Sequence, residues 1–229
     1  MICFCRLIRF LVLPSFGLLL AMPVCATANL IENGSFETPD ISKVIGKRGG
    51  TSSTWQYYDS SLVDGFSGSN IEIWNSGFLG VNAMHGNQFI ELNSHPTSRN
   101  QPFSIFQEFD TTVGQSYDVS FYYEARTKRK EAFNVSFDSA SSGASLLDSN
   151  LNDHRRGGLW SLFTGMFTAK ENKTRMSFTS ITPKTRTLGN FIDNVRVTAS
   201  VPEINAGSTG LALGLLLSVM SIMRERRKR

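Results

Sequence analysis

The chain has 229 residues, of which 23 are Lys or Arg, 19 are Asp or Glu and 3 are Cys. Residues 1–28 and 206–229 carry seven of the basic residues, one acidic residue and every cysteine, which leaves 16 basic and 18 acidic residues in 29–205. This balance argues against a nucleic-acid binder, and the lack of cysteine excludes a disulfide or zinc-finger framework in that segment. A segment of about 177 residues is long enough for one domain with its own hydrophobic core.

The first 28 residues have the pattern of a secretory signal peptide. Arg6 and Arg9 precede an apolar run over 11–22, and small residues at 26–28 predict cleavage between Ala28 and Asn29. A retained N-terminal membrane anchor is the alternative, although Pro14 interrupts a run that is already short. We therefore expect an exported protein.

Alternating apolar and polar residues dominate the segment 29–200. In one example, Tyr117, Val119 and Phe121 alternate with polar residues, as in a half-buried strand. Further strands are predicted at 70–74, 88–92, 104–109, 133–137, 160–168, 175–179 and 190–198, with turn-forming clusters at 65–69, 75–77, 139–143, 152–158 and 182–189. Residues 41–54 are expected to form an exposed loop, and 199–206 a linker. About eight to ten short strands with turns between them predict an all-β fold, an antiparallel β-sandwich.

Two motifs at the ends of this segment resemble the galactose-binding-like jelly-roll superfamily, which includes many carbohydrate-binding modules. Residues 29–37 read Asn-Leu-Ile-Glu-Asn-Gly-Ser-Phe-Glu and are similar to the opening strand of those domains, while 191–195 read Phe-Ile-Asp-Asn-Val and are similar to the closing strand. The resemblance implies that these strands lie side by side, with a structural Ca²⁺ held by Glu37, Asp193 and backbone carbonyls. Alternatively, Glu37 faces solvent and Asp193 hydrogen-bonds a turn.

Aromatic residues in the segment indicate a sugar-binding surface, because such surfaces place rings against a pyranose while amides and carboxylates bind its hydroxyls. The candidate ligand-binding residues are Trp55, Tyr57, Glu72, Trp74 and Tyr122. Trp55 and Tyr57 adjoin the predicted loop, Glu72 and Trp74 share one face of a strand, and Tyr122 points away from the core side of its strand. For each ring, a place in the core or at its rim is the alternative.

Motifs for catalysis are weak in this chain. His85, His95 and His154 lie in polar loop contexts without metal-ligand spacing, so solvated imidazoles are expected. Glu72 and Glu91 could in principle act as a glycosidase pair, but that chemistry needs a fixed separation that a sequence does not give. We therefore predict a protein that is not an enzyme and has no catalytic residue.

The last 29 residues have three parts. Residues 206–223 carry no charge and would form a helix about 27 Å long, marginally enough to span a bilayer core. The flanking motifs resemble the PEP-CTERM sorting signal of Gram-negative bacteria, and the residues that match are Val201, Pro202, Glu203, Arg224, Arg226 and Arg227. This resemblance implies an exosortase partner that recognises the Pro-Glu motif and processes the tail. Ile204 stands where a second Pro is usual, which leaves cleavage open, and a buried core helix is the alternative for 206–223.

The combined prediction is an exported cell-surface or matrix protein that binds a polysaccharide of the cell envelope or exopolymer without catalysis. It is held at the inner membrane, transiently or permanently, by its C-terminal helix, and nucleic acid is not among its partners. Two alternatives stay open: a structural or adhesive domain without a sugar site, and a glycan-processing enzyme.

Overall fold

The computed structural model describes residues 27–43, 54–96, 100–127, 130–153, 159–201 and 226. Within these ranges there are eleven strands: β1 Trp55–Tyr58, β2 Ser67–Gly68, β3 Ile71–Asn75, β4 Gln88–Glu91, β5 Ser104–Asp110, β6 Ser116–Ala125, β7 Glu131–Ser139, β8 Ser145–Asp153, β9 Ser161–Thr168, β10 Lys173–Thr182 and β11 Asn190–Ala199. Three short 3₁₀ helices lie in the connections: η1 Ile41–Lys43, η2 Ser60–Leu62 and η3 Phe78–Gly80.

The strands form two sheets in which neighbouring strands pair antiparallel. The six-stranded sheet has the order β1-β3-β4-β11-β6-β9, and the five-stranded sheet has the order β2-β5-β10-β7-β8. The closing strand β11 lies between β4 and β6, so both neighbours hold the end of the domain. The predicted all-β antiparallel sandwich is confirmed.

The hydrophobic core lies between the two sheets. Val119 and Phe121 of β6 and Met176 and Phe178 of β10 belong to one cluster and are at most 2% exposed. The rings of Phe121 and Phe178 meet edge to face, with their centroids 5.0 Å apart. Because successive side chains point to opposite faces of a strand, the polar residues between these positions face outward, as the alternation predicts.

Residues 29–37 lie beside β11, as the resemblance implies, but they form turns and not a strand. The backbone N–H of Val195 donates to the carbonyl of Gly34 at 2.8 Å, which joins the two segments. Asn33 and Phe36 have φ angles of 50° and 55°, in the left-handed region, and this interrupts an extended backbone. The expected opening strand is therefore wrong, whereas the expected contact with the closing strand is present.

The sequence pattern does not predict β1, β2 and β8, and β2 lies within the turn-forming cluster predicted at 65–69. All four residues of β1 are half-buried, so the apolar and polar alternation that marks a strand is weak there. β8 lies at one end of the five-stranded sheet and is mostly polar, since its outward positions carry Asp and Asn. Ile41, which was expected in an exposed loop, is fully buried because it packs in the main core.

Candidate functional site

The outer face of the six-stranded sheet carries two rows of aromatic and acidic side chains that cross the strands. In one row Trp55 pairs with Trp74, and in the next Tyr57 pairs with Glu72, which pairs with Glu91. Residues two apart on a strand point to the same side, so the two rows share one face. Four of the five predicted ligand-binding residues are therefore neighbours: Trp55, Tyr57, Glu72 and Trp74.

Two of these four residues lie beneath the surface. Trp74 and Glu72 are each 1% exposed, and the indole Nε1–H of Trp74 donates to Oε1 of Glu72 at 2.9 Å. The ring of Phe78 in η3 lies 4.9 Å from the Trp74 ring, centroid to centroid, and the Phe191 ring lies 5.0 Å from it on β11. The prediction that Trp74 and Glu72 touch a ligand is corrected, because Phe78 of η3 and Arg126 lie over Trp74, while Glu72 is buried against the Trp74 indole and His95.

Three half-buried rings remain at the side of this face, and we refer to Trp55, Tyr57 and His95 as the aromatic edge. The imidazole of His95 stacks on the Trp55 ring with centroids 5.0 Å apart and an interplanar angle of 29°, and it lies 6.3 Å from the Tyr57 ring. The Nδ1 atom of His95 lies 2.5 Å from Oε2 of Glu72. A buried carboxylate thus orients an imidazole whose side chain is 38% exposed.

Sequence reasoning missed His95 as a site residue. The backbone N–H of His95 donates to Oε2 of Glu72 at 3.2 Å, in addition to the ring contact, although the two residues are 23 positions apart. The loop after β4 makes this contact, and no local pattern around His95 signals where that loop will lie. The pairing of β1 with β3 then supplies the Trp55 ring against which His95 stacks.

Tyr122 does not join the aromatic edge. It lies half-buried on the outer face of β6, and the strand order places β3, β4 and β11 between it and β1. Four steps of about 4.8 Å between neighbouring strands separate β6 from β1 by about 19 Å. The five predicted residues therefore do not form one continuous platform.

Three glutamates are buried on the same face: Glu72, Glu91 and Glu124 are each at most 1% exposed. The guanidinium Nη1 of Arg126 lies 2.7 Å from Oε2 of Glu91, and the backbone N–H of Gly189 donates to Oε1 at 2.7 Å. Burial raises the pKa of Glu91 well above its ordinary value, although Arg126 opposes this shift. Because Glu72 and Glu91 are covered, they do not present the accessible pair of carboxylates that glycoside hydrolysis requires.

Glu37 and Asp193, the predicted calcium ligands, both hold the connection between η3 and β4. Oδ1 and Oδ2 of Asp193 accept three backbone N–H bonds of 2.6 to 3.0 Å from residues 84, 85 and 194, while Oε1 of Glu37 accepts two from residues 87 and 88. Burial raises the pKa of Asp193 to about 7. The described ranges contain no group of three or more His, Cys, Asp or Glu side chains that could hold a metal ion. These contacts do not by themselves form a Ca²⁺ site, and calcium stays a prediction.

Comparison with known proteins connects this fold to a family. A family model described as "Protein of unknown function (DUF642)" matches residues 29–198. The chain belongs to this family. Halomucin of Haloquadratum walsbyi is 26% identical over 182 residues, which are 79% of this chain but only 2% of halomucin.

Solved structures similar to this DUF642 chain include three carbohydrate-binding domains. TmCBM61 in complex with β-1,4-galactotriose is 15% identical with a TM-score of 0.48, and the match covers 76% of this chain and all of TmCBM61. The CBM22-1 xylan-binding domain of Paenibacillus barcinonensis Xyn10C is 11% identical with a TM-score of 0.43 over 76% of this chain and 96% of that domain. A family 35 carbohydrate binding module from Clostridium thermocellum is 13% identical with a TM-score of 0.38 over 65% of this chain and all of the module.

The segment that matches DUF642 ends within β11, and most of the predicted targeting signals lie outside the described residues. Val201 and Arg226 are described and exposed, whereas four of the predicted sorting residues lie outside, namely Pro202, Glu203, Arg224 and Arg227. In the part of the chain that is described, no helix is long and apolar enough to cross a membrane. Export, cleavage after Ala28 and recognition by an exosortase stay predictions.

Proposed function

We propose that this domain binds a polysaccharide without catalysis, and that a sugar ring stacks on the aromatic edge. The observation that carries the proposal is that the His95 ring stacks on Trp55 beside Tyr57. Trp55 and Tyr57 lie on β1, at one end of the six-stranded sheet, and His95 lies in the loop after β4. The apolar face of a pyranose packs against such rings, and burial of both surfaces releases water. Polar groups around the rings then bind the sugar hydroxyls.

The aromatic edge is built on a rigid base. All four residues of β1 pair with β3, and Trp55 and Tyr57 are two positions apart, which places their attachment points about 6.6 Å apart along the strand. Glu72 holds the His95 ring from below, so little side-chain freedom remains to be lost when a ligand binds. Among the described residues β1 is an end strand, which suits a long polymer that passes the edge without entering a closed pocket.

The surroundings of the edge support binding over hydrolysis. The two glutamates in the same row as Tyr57, Glu72 and Glu91, accept hydrogen bonds from Trp74 and Arg126 beneath the surface. A glycosidase needs one carboxyl group to protonate the leaving oxygen and another to attack or to activate water, and both must reach the sugar. The buried pair supports the structure of the site instead.

The setting that we propose for this activity is the cell envelope or exopolymer matrix. The signal-peptide pattern at 1–28 supports export, and the pattern at 201–229 supports a tail that an exosortase recognises at the inner membrane. Val201, the last residue of the described range 159–201, is exposed. Mass spectrometry of the protein from envelope and medium fractions tests whether the chain starts at Asn29 and whether the tail is removed.

Substitutions in the aromatic edge test the binding function. The full chain, purified in a zwitterionic detergent without a sugar headgroup, is titrated with neutral and acidic polysaccharides, including the exopolymer of its own source. We expect Trp55→Ala and Tyr57→Ala each to weaken binding at least about fivefold, since a buried aromatic contact contributes at least about 1 kcal/mol. His95→Ala should weaken binding in the same direction.

Tyr122→Ala is the matched control, because it removes a half-buried ring from the same sheet face about 19 Å from β1. It should leave the affinity unchanged. Equal affinities for the wild type and all three edge variants, each with an unchanged melting temperature, would show that the aromatic edge is not the binding site.

A second candidate function is contact with another protein, and one surface feature favours it. Leu162 and Met166 are 53% and 61% exposed on the outer face of β9, the other end strand of the six-stranded sheet. Exposed apolar residues that share one face of a sheet are typical of contact surfaces between proteins. No binding to any polysaccharide, together with self-association that Leu162→Ser and Met166→Ser abolish, would favour this function.

A further inference from the structure

A polar pocket lies on the other side of β3 from the aromatic edge. It has a volume of about 490 Å³, and the described residues that line it supply two carboxylates, two amides and two hydroxyls, from Glu37, Asp40, Ser42, Asn75, Ser76 and Asn87. Asn75 follows Trp74 directly on β3, so its side chain points to the opposite face of the sheet. The pocket is therefore separate from the aromatic edge.

The acidic side chains of the pocket are held in place by the backbone. Oε1 of Glu37 accepts the N–H groups of Asn87 and Gln88 at 2.8 and 2.9 Å. Oδ1 of Asp40 accepts the N–H of Ser42 at 2.9 Å and its hydroxyl at 2.5 Å. A site held in this way loses little conformational freedom when a ligand arrives.

The segment that carries these residues is also fixed from below. The buried carboxamide of Gln88 donates to the carbonyls of Phe36 and Pro39 at 2.7 and 3.0 Å, and it accepts the N–H of Ile41 at 2.6 Å. Gln88 pairs with Asn75 on the neighbouring strand, so one side chain ties the 36–41 segment to the β3–β4 hairpin. Hydrogen-bonded segments of the fold therefore form two sides of the pocket, the 36–41 segment and the β3–β4 hairpin.

The chemistry of the lining restricts the ligand. Carboxylates accept hydrogen bonds, while amides and hydroxyls both donate and accept them, so the lining suits a ligand with many hydroxyl or ammonium donors. The described residues that line the pocket include two carboxylates and no Lys or Arg, and carboxylates repel an anionic ligand. The volume matches that of small-molecule sites, which measure about 300–1,000 Å³, and exceeds the space that one coordinated metal ion needs.

We propose that this pocket is a second sugar-binding site, for a sugar that carries no negative charge, and that it prefers an amino sugar to a neutral one. Glu37 and Asp40 attract the ammonium group, and Asn75 and Asn87 bind ring hydroxyls. The site goes beyond the proposed function, since it shares no residue with the aromatic edge. The two sites are therefore tested by different variants.

Three tetrasaccharides of different charge test the proposal: the glucosamine tetramer, cellotetraose and tetragalacturonate. Each is titrated calorimetrically into the full chain in a zwitterionic detergent without a sugar headgroup. We expect the glucosamine tetramer to bind most tightly and tetragalacturonate most weakly, and we expect added salt to weaken the binding of the glucosamine tetramer. Asp40→Asn and Asn87→Ala should each raise the Kd of the glucosamine tetramer at least tenfold.

The matched control is Asn172→Ala, which removes an exposed asparagine from the turn between β9 and β10 and should change nothing. Asn87→Ala keeps the backbone N–H that Glu37 accepts, so it separates ligand contact from folding. The proposal is overturned if Asp40→Asn and Asn87→Ala both leave the Kd of the glucosamine tetramer unchanged. Tighter binding of tetragalacturonate than of cellotetraose would also overturn it, as would no binding of any tetramer.

The variants also separate this inference from the proposed function. Trp55→Ala should leave the binding of the glucosamine tetramer at the pocket unchanged, whereas Asp40→Asn should leave polysaccharide binding at the aromatic edge unchanged. If Trp55→Ala alone removes every binding event, the pocket proposal fails and the edge proposal stands. A different outcome would make the pocket a metal site: the wild type binds one Ca²⁺, Asp40→Asn abolishes this binding, and no sugar binds.

Discussion

Replacing Arg126 with Met tests whether the buried charges on the outer sheet face hold the site together. The guanidinium of Arg126 lies 4.7 Å above the centroid of the Trp74 ring and 2.7 Å from Oε2 of Glu91, which is 0% exposed. Methionine keeps an apolar side chain over Trp74 but removes the cation that faces Glu91. The variant therefore isolates the contribution of the charge from that of the packing.

The size of the effect follows from breaking a buried ion pair. Without Arg126, the guanidinium no longer opposes the burial that raises the pKa of Glu91, so we expect the carboxyl group to take up a proton in the folded variant. Loss of one partner of a buried ion pair costs about 3–5 kcal/mol. At about 2–4 °C per kcal/mol for a domain of this size, this loss lowers Tm by about 6–20 °C.

The cost must depend on pH in a defined direction. Burial raises the pKa of Glu91 in the folded state above that in the unfolded state, so the folded state binds the proton more tightly. Near pH 4 the carboxyl group is already largely protonated in the unfolded chain, and the loss of Arg126 then costs little. We expect the destabilisation by Arg126→Met to be largest at pH 7.5 and to shrink towards zero at pH 4.

Denaturant unfolding of the full chain at these two pH values measures the effect, and Arg175→Met provides a matched control. Arg175 also pairs with a glutamate, Glu108, and lies 4.6 Å above the Phe106 ring, but both charged side chains are exposed, at 44% and 32%. An exposed pair contributes at most about 1 kcal/mol. Equal losses for the two variants, or a loss for Arg126→Met that does not shrink at pH 4, would refute the reasoning.

Two further predictions concern the carboxylates that hold the loop before β4. Burial raises the pKa of Asp193 from 3.8 to about 7, so its stabilising contribution is complete below about pH 4 and is lost as the pH rises through 7. Because of this group, we expect the free energy of unfolding to fall by up to about 4 kcal/mol between pH 4 and pH 7.5. Asp193→Asn should remove this part of the pH dependence. Denaturant titrations in which Asp193→Asn leaves the pH dependence unchanged would contradict the prediction. If Ca²⁺ joins Glu37 to Asp193, EDTA lowers the Tm of the wild type but not that of Glu37→Gln, and an identical wild-type Tm with and without EDTA argues against calcium.

The sequence alone determined the elements with strong local alternation. The spacing of Tyr117, Val119 and Phe121 predicts a strand with one buried face, and all three residues lie in the core on β6. The same rule predicts that Glu72 and Trp74 share a face, and the hydrogen bond between their side chains confirms it. These features follow from the two-residue period of a strand, which depends only on neighbours in the chain.

Only the tertiary structure decided which of the candidate rings are buried and which lie together. Trp74 is covered because η3 folds over it, His95 joins Trp55 through a loop 23 residues from Glu72, and Tyr122 is set apart by the strand order. Each outcome depends on where a loop or a distant strand comes to lie. Such contacts are selected by the packing of the whole sandwich, since the cost of closing a loop must be offset by contacts with residues far away in the chain.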